Sequence, residues 1–376
     1  MRTKVMRRRW LALLALVAAA AEAAFVPAGP MVYGGLGLRA VPLSNGEVLI
    51  VGAPRTQIYE PLGSTFRVTR GEMNVTHRGS AMVKLRDGRV LIAGGGAKDS
   101  GAHLVTGGTA SEIFDPATET FTVTGPLQHQ RAIHTATLLA DGRVLIVGGA
   151  VIQVGALVVW TFPTPEIEVY DPSTRTFRET GLQLPITEHT ATRLRDGRVL
   201  IAGGKSPSEQ RNYVFDPEVT TLRVTGAMIT PRYGHTATLL PDGRVLILGG
   251  IASRTLQWTR DAEIYDPATN SFTPAGSMPV GRRDHAAVLM NSGEVLIAGG
   301  STDSAPPDLD SALIYDPRSR TFAEVGPMRF RRIGPVSAEL PNGSVLIAAG
   351  LTVEDYGNVI AEIYVPPPAH NRAVRH

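Results

Sequence analysis

Four histidines recur at one position of the sequence and are the first candidates for chemistry. Each lies eight residues before a glycine of a repeated turn motif: His134, His189, His235 and His285. Three of them follow an arginine by three residues: Arg131, Arg232 and Arg282. A ring of imidazole and guanidinium groups suits an anionic or sugar ligand. The alternative is structural, because a catalytic group is needed once whereas a contact between repeats is needed in every repeat.

Two of these histidines directly follow a carboxylate, in the pairs Glu188-His189 and Asp284-His285. A carboxylate beside an imidazole can form an acid–base pair. Adjacent residues of a strand point to opposite faces, so such a pair requires the strand to begin after the histidine. A metal would need several of the histidines within about 3–4 Å of one centre. A wide ring does not provide this, so we expect no metal and no cofactor.

Two tryptophans are further binding candidates. Trp160 and Trp258 both lie in long loops that follow a buried strand, and an exposed indole suits a sugar ring or a peptide. The loop around Trp160 is apolar, so it can fold on itself and bury the ring. Trp258 lies between Gln257 and Thr259, and we expect it to be the more exposed of the two.

The N-terminal segment predicts export. Five basic residues precede an apolar run from Trp10 to Ala21, and Ala21-Glu22-Ala23 matches a cleavage pattern of small residues. We therefore interpret residues 1–23 as a signal peptide; the alternative is an uncleaved membrane anchor, although the run is short for a span. Without this leader, 32 basic residues face 33 acidic ones. A near-neutral protein is a poor nucleic-acid binder, and we expect no nucleic acid and no stable membrane span.

The elements that would position these residues are seven internal repeats. Asp-Gly-Arg-Val-Leu-Ile followed by paired glycines recurs, with variants, and its turn glycines lie at 46, 88, 142, 197, 243, 293 and 343. A spacing of about 50 residues is typical of propeller blades. Each copy predicts four short strands: an apolar strand, a tight hairpin turn of type I′, a fully buried strand such as Val144 to Val147, and then two strands joined by an aromatic-Asp-Pro turn.

The last repeat lacks its fourth strand, and the start of the mature chain supplies it. The segment from Phe25 to Met31 matches the segment from Phe272 to Met278 almost residue for residue. We therefore predict an all-β, seven-bladed propeller over residues 24–366 whose last blade is closed by the mature N-terminal strand, with a disordered tail at 367–376. Closure leaves no free sheet edge between blades.

These repeats resemble kelch repeats of the galactose oxidase/kelch β-propeller superfamily, in an exported bacterial form. The resemblance rests on the aromatic-Asp-Pro turn, the late aromatic residue and the paired glycines, which five copies keep: Gly94-Gly95, Gly148-Gly149, Gly203-Gly204, Gly249-Gly250 and Gly299-Gly300. The first copy has Gly52-Ala53 and the seventh Ala349-Gly350, so we expect those two blades to be less regular. Copper chemistry of the galactose oxidase kind requires a cysteine, and this chain has none.

The loop lengths locate the expected binding site. Because the chain reverses at each strand, the loops after the second strands and before the first strands share one face, which we call the loop face. The opposite face, with the short Asp-Gly turns, is the turn face. Function concentrates in variable loops on a fixed scaffold. We therefore predict a monomeric, non-enzymatic module that binds a protein or glycan through the loop face, outside the cytoplasm. The alternative is a periplasmic sugar isomerase similar to the kelch sialic acid epimerases.

Overall fold

A computed structural model of the protein describes residues 24–35, 37–52, 55–96, 107–154, 159–206, 211–352 and 360–367. Within these ranges the chain forms strands and no helix. Seven four-stranded antiparallel sheets are the blades of a propeller, here numbered I to VII. The predicted leader (1–23) and all but the first residue of the predicted tail (367–376) lie outside the described residues.

The first three blades follow chain order. Blade I contains β2 (Arg39–Pro42), β3 (Val48–Val51), β4 (Gln57–Glu60) and β5 (Thr65–Val68). Blade II contains β6 (Ala81–Lys84), β7 (Val90–Ala93), β8 (Ser111–Asp115) and β9 (Thr120–Val123). Blade III contains β10 (Thr135–Leu138), β11 (Val144–Val147), β14 (Glu166–Asp171) and β15 (Thr176–Gln183). A hairpin of β12 (Ala150–Val154) and β13 (Val159–Pro163) is inserted after its second strand.

The next three blades repeat the pattern. Blade IV contains β16 (Thr190–Arg193), β17 (Val199–Ala202), β18 (Tyr213–Asp216) and β19 (Thr221–Val224). Blade V contains β21 (Thr236–Leu239), β22 (Val245–Leu248), β24 (Asp261–Asp266) and β25 (Ser271–Ser277). A short pair, β20 (Arg232–Tyr233) and β23 (Ile251–Ala252), lies on the loop-face side of this blade. Blade VI contains β26 (Ala286–Leu289), β27 (Val295–Ala298), β28 (Ala312–Asp316) and β29 (Thr321–Val325).

Blade VII is closed as the sequence predicts. It contains β30 (Val336–Glu339), β31 (Val345–Ala348) and β32 (Ala361–Val365), and its outer strand is β1 (Ala24–Pro27). β1 pairs antiparallel with β32, and Phe25 lies opposite Tyr364 with ring centroids 5.4 Å apart. The first strands contact one another around the whole ring, including β30 with β2. Blades I and VII therefore have four strands like the others, although the glycine pair that five copies keep is replaced in both.

The core lies between the blades rather than inside any one of them. All four residues of each second strand are buried, as predicted for a strand covered on both faces. Leu145 and Val147 of blade III pack with Val199 and Ile201 of blade IV in one cluster, and the other junctions are built alike. Each blade is thus stable only with its neighbours in place.

The first hairpin turn of each blade differs from the predicted type. In blade II the Gly88 N–H donates to the Leu85 carbonyl at 3.1 Å, and Gly88 has positive φ whereas Asp87 does not. This is a type I turn followed by a glycine bulge, not a type I′ turn. Asp87 is needed for another reason, since its carboxylate accepts from the Arg89 backbone N–H at 3.0 Å and from its guanidinium at 2.8 Å.

The paired glycines are the points where one blade rests on the next. In blade III, Gly148 and Gly149 both have positive φ, and the Gly149 N–H donates to the Ile186 carbonyl of blade IV at 2.9 Å. A Cβ at Gly148 would overlap that carbonyl and lie 2.7 Å from Cε1 of His189. Blade VII has Ala349 at this position with φ 57°, and the next blade has Leu38 where blade IV has His189.

Close contact at the paired glycines can be separated from backbone strain by two substitutions. Gly148→Ala places a methyl group against blade IV, whereas Gly181→Ala has similar positive φ (78°) but nothing within 4 Å. Gly181→Ala should cost about 1–2 kcal/mol, the usual penalty of this backbone conformation. Gly148→Ala should lower the free energy of unfolding, measured in urea, clearly more than Gly181→Ala does. Equal losses would show that the inter-blade contact contributes nothing.

Candidate functional site

Three of the four fully buried arginines ahead of the first strands form ion pairs within their own blades. The Arg131 Nη2 donates to Glu168 Oε1 at 2.7 Å, and both side chains have no solvent exposure. Arg232 pairs with Glu263 and Arg332 with Glu362 in the same way, each at 2.6 Å. Sequence reasoning missed Arg332 because its blade has Pro335 in place of the histidine. It also missed the glutamates, although each lies two residues before the aromatic residue of a third strand.

Each glutamate also binds the loop that leads into its blade. Glu168 accepts from the backbone N–H of Gln128 at 2.8 Å and of His129 at 3.2 Å. Glu263 accepts likewise from Ile229 and Thr230. In blade I the amide of Gln57 replaces the carboxylate and accepts from the Val32 N–H at 2.9 Å. These side chains therefore hold the loop face in place, because a buried carboxylate needs several donors.

Blades IV and VI lack this glutamate, and the chain compensates locally. Their equivalent residues are Tyr213 and Leu313. The loop residue that would donate its N–H is then a proline, Pro185 or Pro279, which has no N–H to leave unsatisfied. Arg282 of blade VI instead donates to the Ser311 hydroxyl at 3.0 Å and to the Gly299 carbonyl at 3.1 Å. Burial lowers the pKa of Arg282 to about 10, although Glu324 opposes the effect.

The recurring histidines link neighbouring blades near the central channel. His189 Nε2 lies 3.0 Å from the Thr135 hydroxyl of the preceding blade. His235 and His285 contact Thr190 at 3.0 Å and Thr236 at 2.9 Å in the same way. The preceding blade offers His134 only Ala81, and its Nε2 has no hydrogen-bond partner among the described residues. The link therefore requires threonine in one blade and histidine in the next.

Burial keeps these imidazoles neutral. It lowers the pKa of His189 to about 4, and, aided by nearby charges, lowers the pKa values of His235 and His285 to about 3. It also lowers the pKa of His134 well below its usual value. All four histidines are at most 7% exposed, and Arg131, Arg232 and Arg282 at most 1%. Their geometry favours the structural alternative, and a role in ligand binding stays a prediction.

The two carboxylates that precede histidines have partners other than those histidines. The strands begin after the histidines, at Thr190 and Ala286, as an acid–base pair would require. Glu188 nevertheless accepts from Lys205 Nζ at 2.6 Å, and Asp284 from Arg283 Nε at 2.7 Å. His189 and His285 use Nε2 for the inter-blade links instead.

Six residues at the channel mouth form the candidate binding site on the loop face, which we call the rim cluster. They come from blades IV, V and VI: Glu188, Lys205, Tyr233, Trp258, Arg283 and Asp284. Lys205 Nζ lies 4.2 Å from the ring centroid of Tyr233, and the Arg283 guanidinium lies 5.7 Å from that of Trp258. Both aromatic rings thus have a cation from a neighbouring blade over one face.

Short backbone pairings position the rim cluster. Tyr233 and Trp258 both pair with Ile251, one on each side, which places the two aromatic residues in the same cross-strand row with Ile251 between them. Thr187 pairs with Lys205 and Arg283 with Ser301 at the equivalent places of the neighbouring blades. Trp258 is half-buried and lies on the predicted face. Trp160 also lies on that face, in β13 opposite Gln153, but its side chain lies outside the described residues.

The charges of the rim cluster are balanced and accessible. The side chains of Glu188, Lys205, Arg283 and Asp284 are 28%, 49%, 32% and 38% exposed. Burial opposes the charge of Arg283, but Asp284 and, more weakly, Glu188 outweigh it, so the pKa of Arg283 is raised. Glu188 and Asp284 also have positive φ, 53° and 51°, which is uncommon for residues other than glycine. The equivalent residue of every other blade also has positive φ, for instance Ile133 at 57° and Gly234 at 63°, so this conformation belongs to the repeat rather than to the site.

A cleft of about 1000 Å³ opens on the turn face, opposite the rim cluster. It is lined by Arg320 and Val325 of blade VI and by Tyr364 and Pro367 of blade VII, among others. In blades I, II, III and V the turn between the third and fourth strands accepts a hydrogen bond from the preceding blade, as Arg175 does from Gly125 at 2.9 Å. Blade VII has no such turn because its third and fourth strands come from opposite ends of the chain, which leaves the cleft open.

Within the described ranges, no group of three or more histidine, aspartate or glutamate side chains is arranged to hold a metal ion. The galactose oxidase resemblance implies a copper centre with a cysteine-linked tyrosine, and this chain has no cysteine to form that link. No helix in the described part of the chain is long and apolar enough to cross a membrane.

Comparisons with known proteins agree with the fold. The family model for the Kelch motif matches residues 231–279, which span blade V. A solved structure of a fungal alcohol oxidase of the AA5 family, in complex with copper, is similar with a TM-score of 0.74 and 16% identity over 94% of this chain and 79% of that one. A search of curated proteins found no match. The motif and the seven-bladed architecture are consistent with the kelch/galactose oxidase superfamily.

Replacement of Arg131 and of Arg282 should lower the free energy of unfolding by clearly different amounts. Arg131→Met leaves Glu168 buried without its cation and should cost about 3–5 kcal/mol of unfolding free energy. Arg282→Met removes a guanidinium that has no carboxylate in hydrogen-bond contact, so only neutral acceptors lose a donor, at about 1–3 kcal/mol. Urea unfolding of both variants tests this, and an equal or larger loss for Arg282→Met would contradict the assignment.

The neutral histidines should make the fold sensitive to mild acid. Unfolded histidines bind protons below about pH 6.5, whereas His189, His235 and His285 stay neutral in the fold down to about pH 4 or 3. Stability should therefore be full above pH 6.5 and should fall towards pH 4 by about 1.4 kcal/mol per pH unit for each histidine. The free energy of unfolding, measured in urea from pH 7 to 5, should depend less steeply on pH in His235→Gln, by the equivalent of about one proton. An unchanged pH dependence would refute the burial argument.

Proposed function

We propose that this chain is an exported, non-enzymatic binding module that takes a carbohydrate at the rim cluster. The observation that carries the proposal is the placement of Tyr233 and Trp258 beside two carboxylates and two cations at the channel mouth. Export is proposed from the leader pattern of residues 1–23. The kelch propeller fold supports a binding role without specifying the ligand.

The chemistry of the rim cluster suits a sugar. A sugar ring presents an apolar face that stacks on an indole, and hydroxyls that both donate and accept hydrogen bonds. Glu188 and Asp284 accept from hydroxyls, and Lys205 and Arg283 donate to them. Because each of these charges already has a partner on the protein, an uncharged ligand can exchange bonds with the pairs without leaving a lone charge.

The shape of the site also supports binding rather than chemistry. The six residues are spread over three blades; Tyr233 is buried, whereas Trp258 and the four charged side chains are accessible at the surface. The imidazoles nearest to them are buried and joined to threonines. A general acid or base must reach the reacting group directly or through one water. Glu188 and Asp284 are the accessible carboxylates here, and both are held by cations within 2.7 Å.

A glycan array read with protein lacking the leader tests the proposal. After leader removal Trp160 and Trp258 are the remaining tryptophans, so under selective tryptophan excitation the variant Trp160→Phe reports Trp258 alone. We expect a glycan that binds this variant and shifts its emission, and an affinity at least tenfold lower for Trp258→Ala.

Two controls make the result decisive. Val219→Ala, an exposed apolar residue on a turn of the opposite face, should bind like the parent. Equal binding by Trp258→Ala would remove the rim cluster from the site. Conversion of a bound sugar to its epimer or anomer, followed by NMR, would favour the isomerase alternative instead.

A further inference from the structure

Exposed large hydrophobic side chains are concentrated on the loop face. Of the twelve among the described residues, eight lie in loop-face connections and are 38–67% exposed: Val32, Val75, Ile133, Phe162, Ile229, Leu256, Val280 and Phe330. The other four lie on turns of the opposite face or on outer strands: Leu62, Val123, Val219 and Val224. Singly exposed apolar side chains are normal, so the observation that bears on binding is their concentration on one face.

These side chains are distributed around the ring. Six of the eight come from the connections that enter six different blades, and only blade IV contributes none. They therefore form no single groove into which a peptide or one helix would fit. A partner that contacts all of them at once must be broad.

The inserted hairpin of blade III adds apolar groups on both of its faces. Val151 lies opposite Phe162, and the next pair is Ile152 opposite Thr161. Successive pairs of an antiparallel ribbon point to opposite faces, so Phe162 and Ile152 lie on different faces. β12 and β13 form a two-stranded sheet of their own, and residues 149–164 include no charged residue. A protein groove covers one face of a ribbon, whereas the interfacial region of a lipid bilayer surrounds both.

Exposed arginines accompany the apolar residues. Arg329 and Arg331 flank Phe330, and Arg254 precedes Leu256 by two residues; all three are exposed. Arg331 also contacts Asp310 at 3.6 Å, so the local charge is mixed. Guanidinium groups beside inserted aromatic or aliphatic side chains suit the phosphates of lipid headgroups.

From this arrangement we propose that the loop face docks on a phospholipid bilayer, with Phe162, Leu256 and Phe330 entering the interfacial region. The proposal does not depend on the carbohydrate site, since none of these residues belongs to the rim cluster. Apolar contact provides the main attraction, because the surface carries both signs of charge. Binding should therefore persist at high salt.

Vesicle flotation tests the proposal with protein recovered from an exporting host. The parent should float with phosphatidylcholine vesicles, and the partition coefficient of the triple variant Phe162→Ser, Leu256→Ser, Phe330→Ser should be at least tenfold lower. The matched control is Leu62→Ser, Val123→Ser, Val219→Ser, which removes three exposed apolar groups elsewhere and should float like the parent. All three proteins share one N-terminus, so a retained leader would affect them equally.

Three results would overturn the proposal. They are a parent that does not float, an equal loss in both triple variants, or a changed melting temperature confined to the loop-face variant. Light scattering on the same samples tests whether a second copy of the chain covers this face instead. A dimer that the loop-face variant loses, together with no flotation, would assign the surface to a second copy of the chain.

Discussion

The close approach of each blade to the glycine pair of the preceding blade is the constraint on which the rest depends. Where the following blade carries a histidine, the pair is Gly-Gly, and its second N–H bonds the neighbouring backbone. Polar side chains buried by this contact are stabilised by partners in the protein, although some of their atoms, such as His134 Nε2, have none among the described residues. The arginine–glutamate pairs and the histidine–threonine contacts provide those partners.

Much of the fold is readable from the sequence because its determinants are local. Paired glycines, Asp-Gly turns and apolar second strands repeat at a fixed spacing, and the match between the segments at Phe25 and Phe272 identifies the closing strand. The turn type was wrong because Asp-Gly suits both a type I′ turn and a type I turn with a bulge. Those two differ in the φ of Asp87, which residue identity alone does not determine.

The candidate site was less predictable because it depends on contacts between blades. His189 and Arg131 recur conspicuously, but whether a recurring side chain faces solvent or the next blade depends on how the sheets pack. The rim cluster recurs nowhere, since Lys205, Tyr233 and Arg283 take different identities at equivalent places. Glu168 and its counterparts would have emerged from an alignment of the repeats, together with the prolines Pro185 and Pro279 that appear where the glutamate is missing.

The pairing of β1 with β32, which closes the ring and is here called the seam, has a mechanical consequence. Among the described residues, the histidine–threonine contacts run from Thr135 to His285 and join blades III to VI but no others. Ala24 lies directly opposite Val365, so the two ends of the described chain leave blade VII side by side. A force applied between them peels β1 from β32 one backbone pair at a time instead of shearing all pairs together. A propeller tethered by both ends would open at this seam under a small load while the other six blades keep their strands, whereas one tethered by a single end would not.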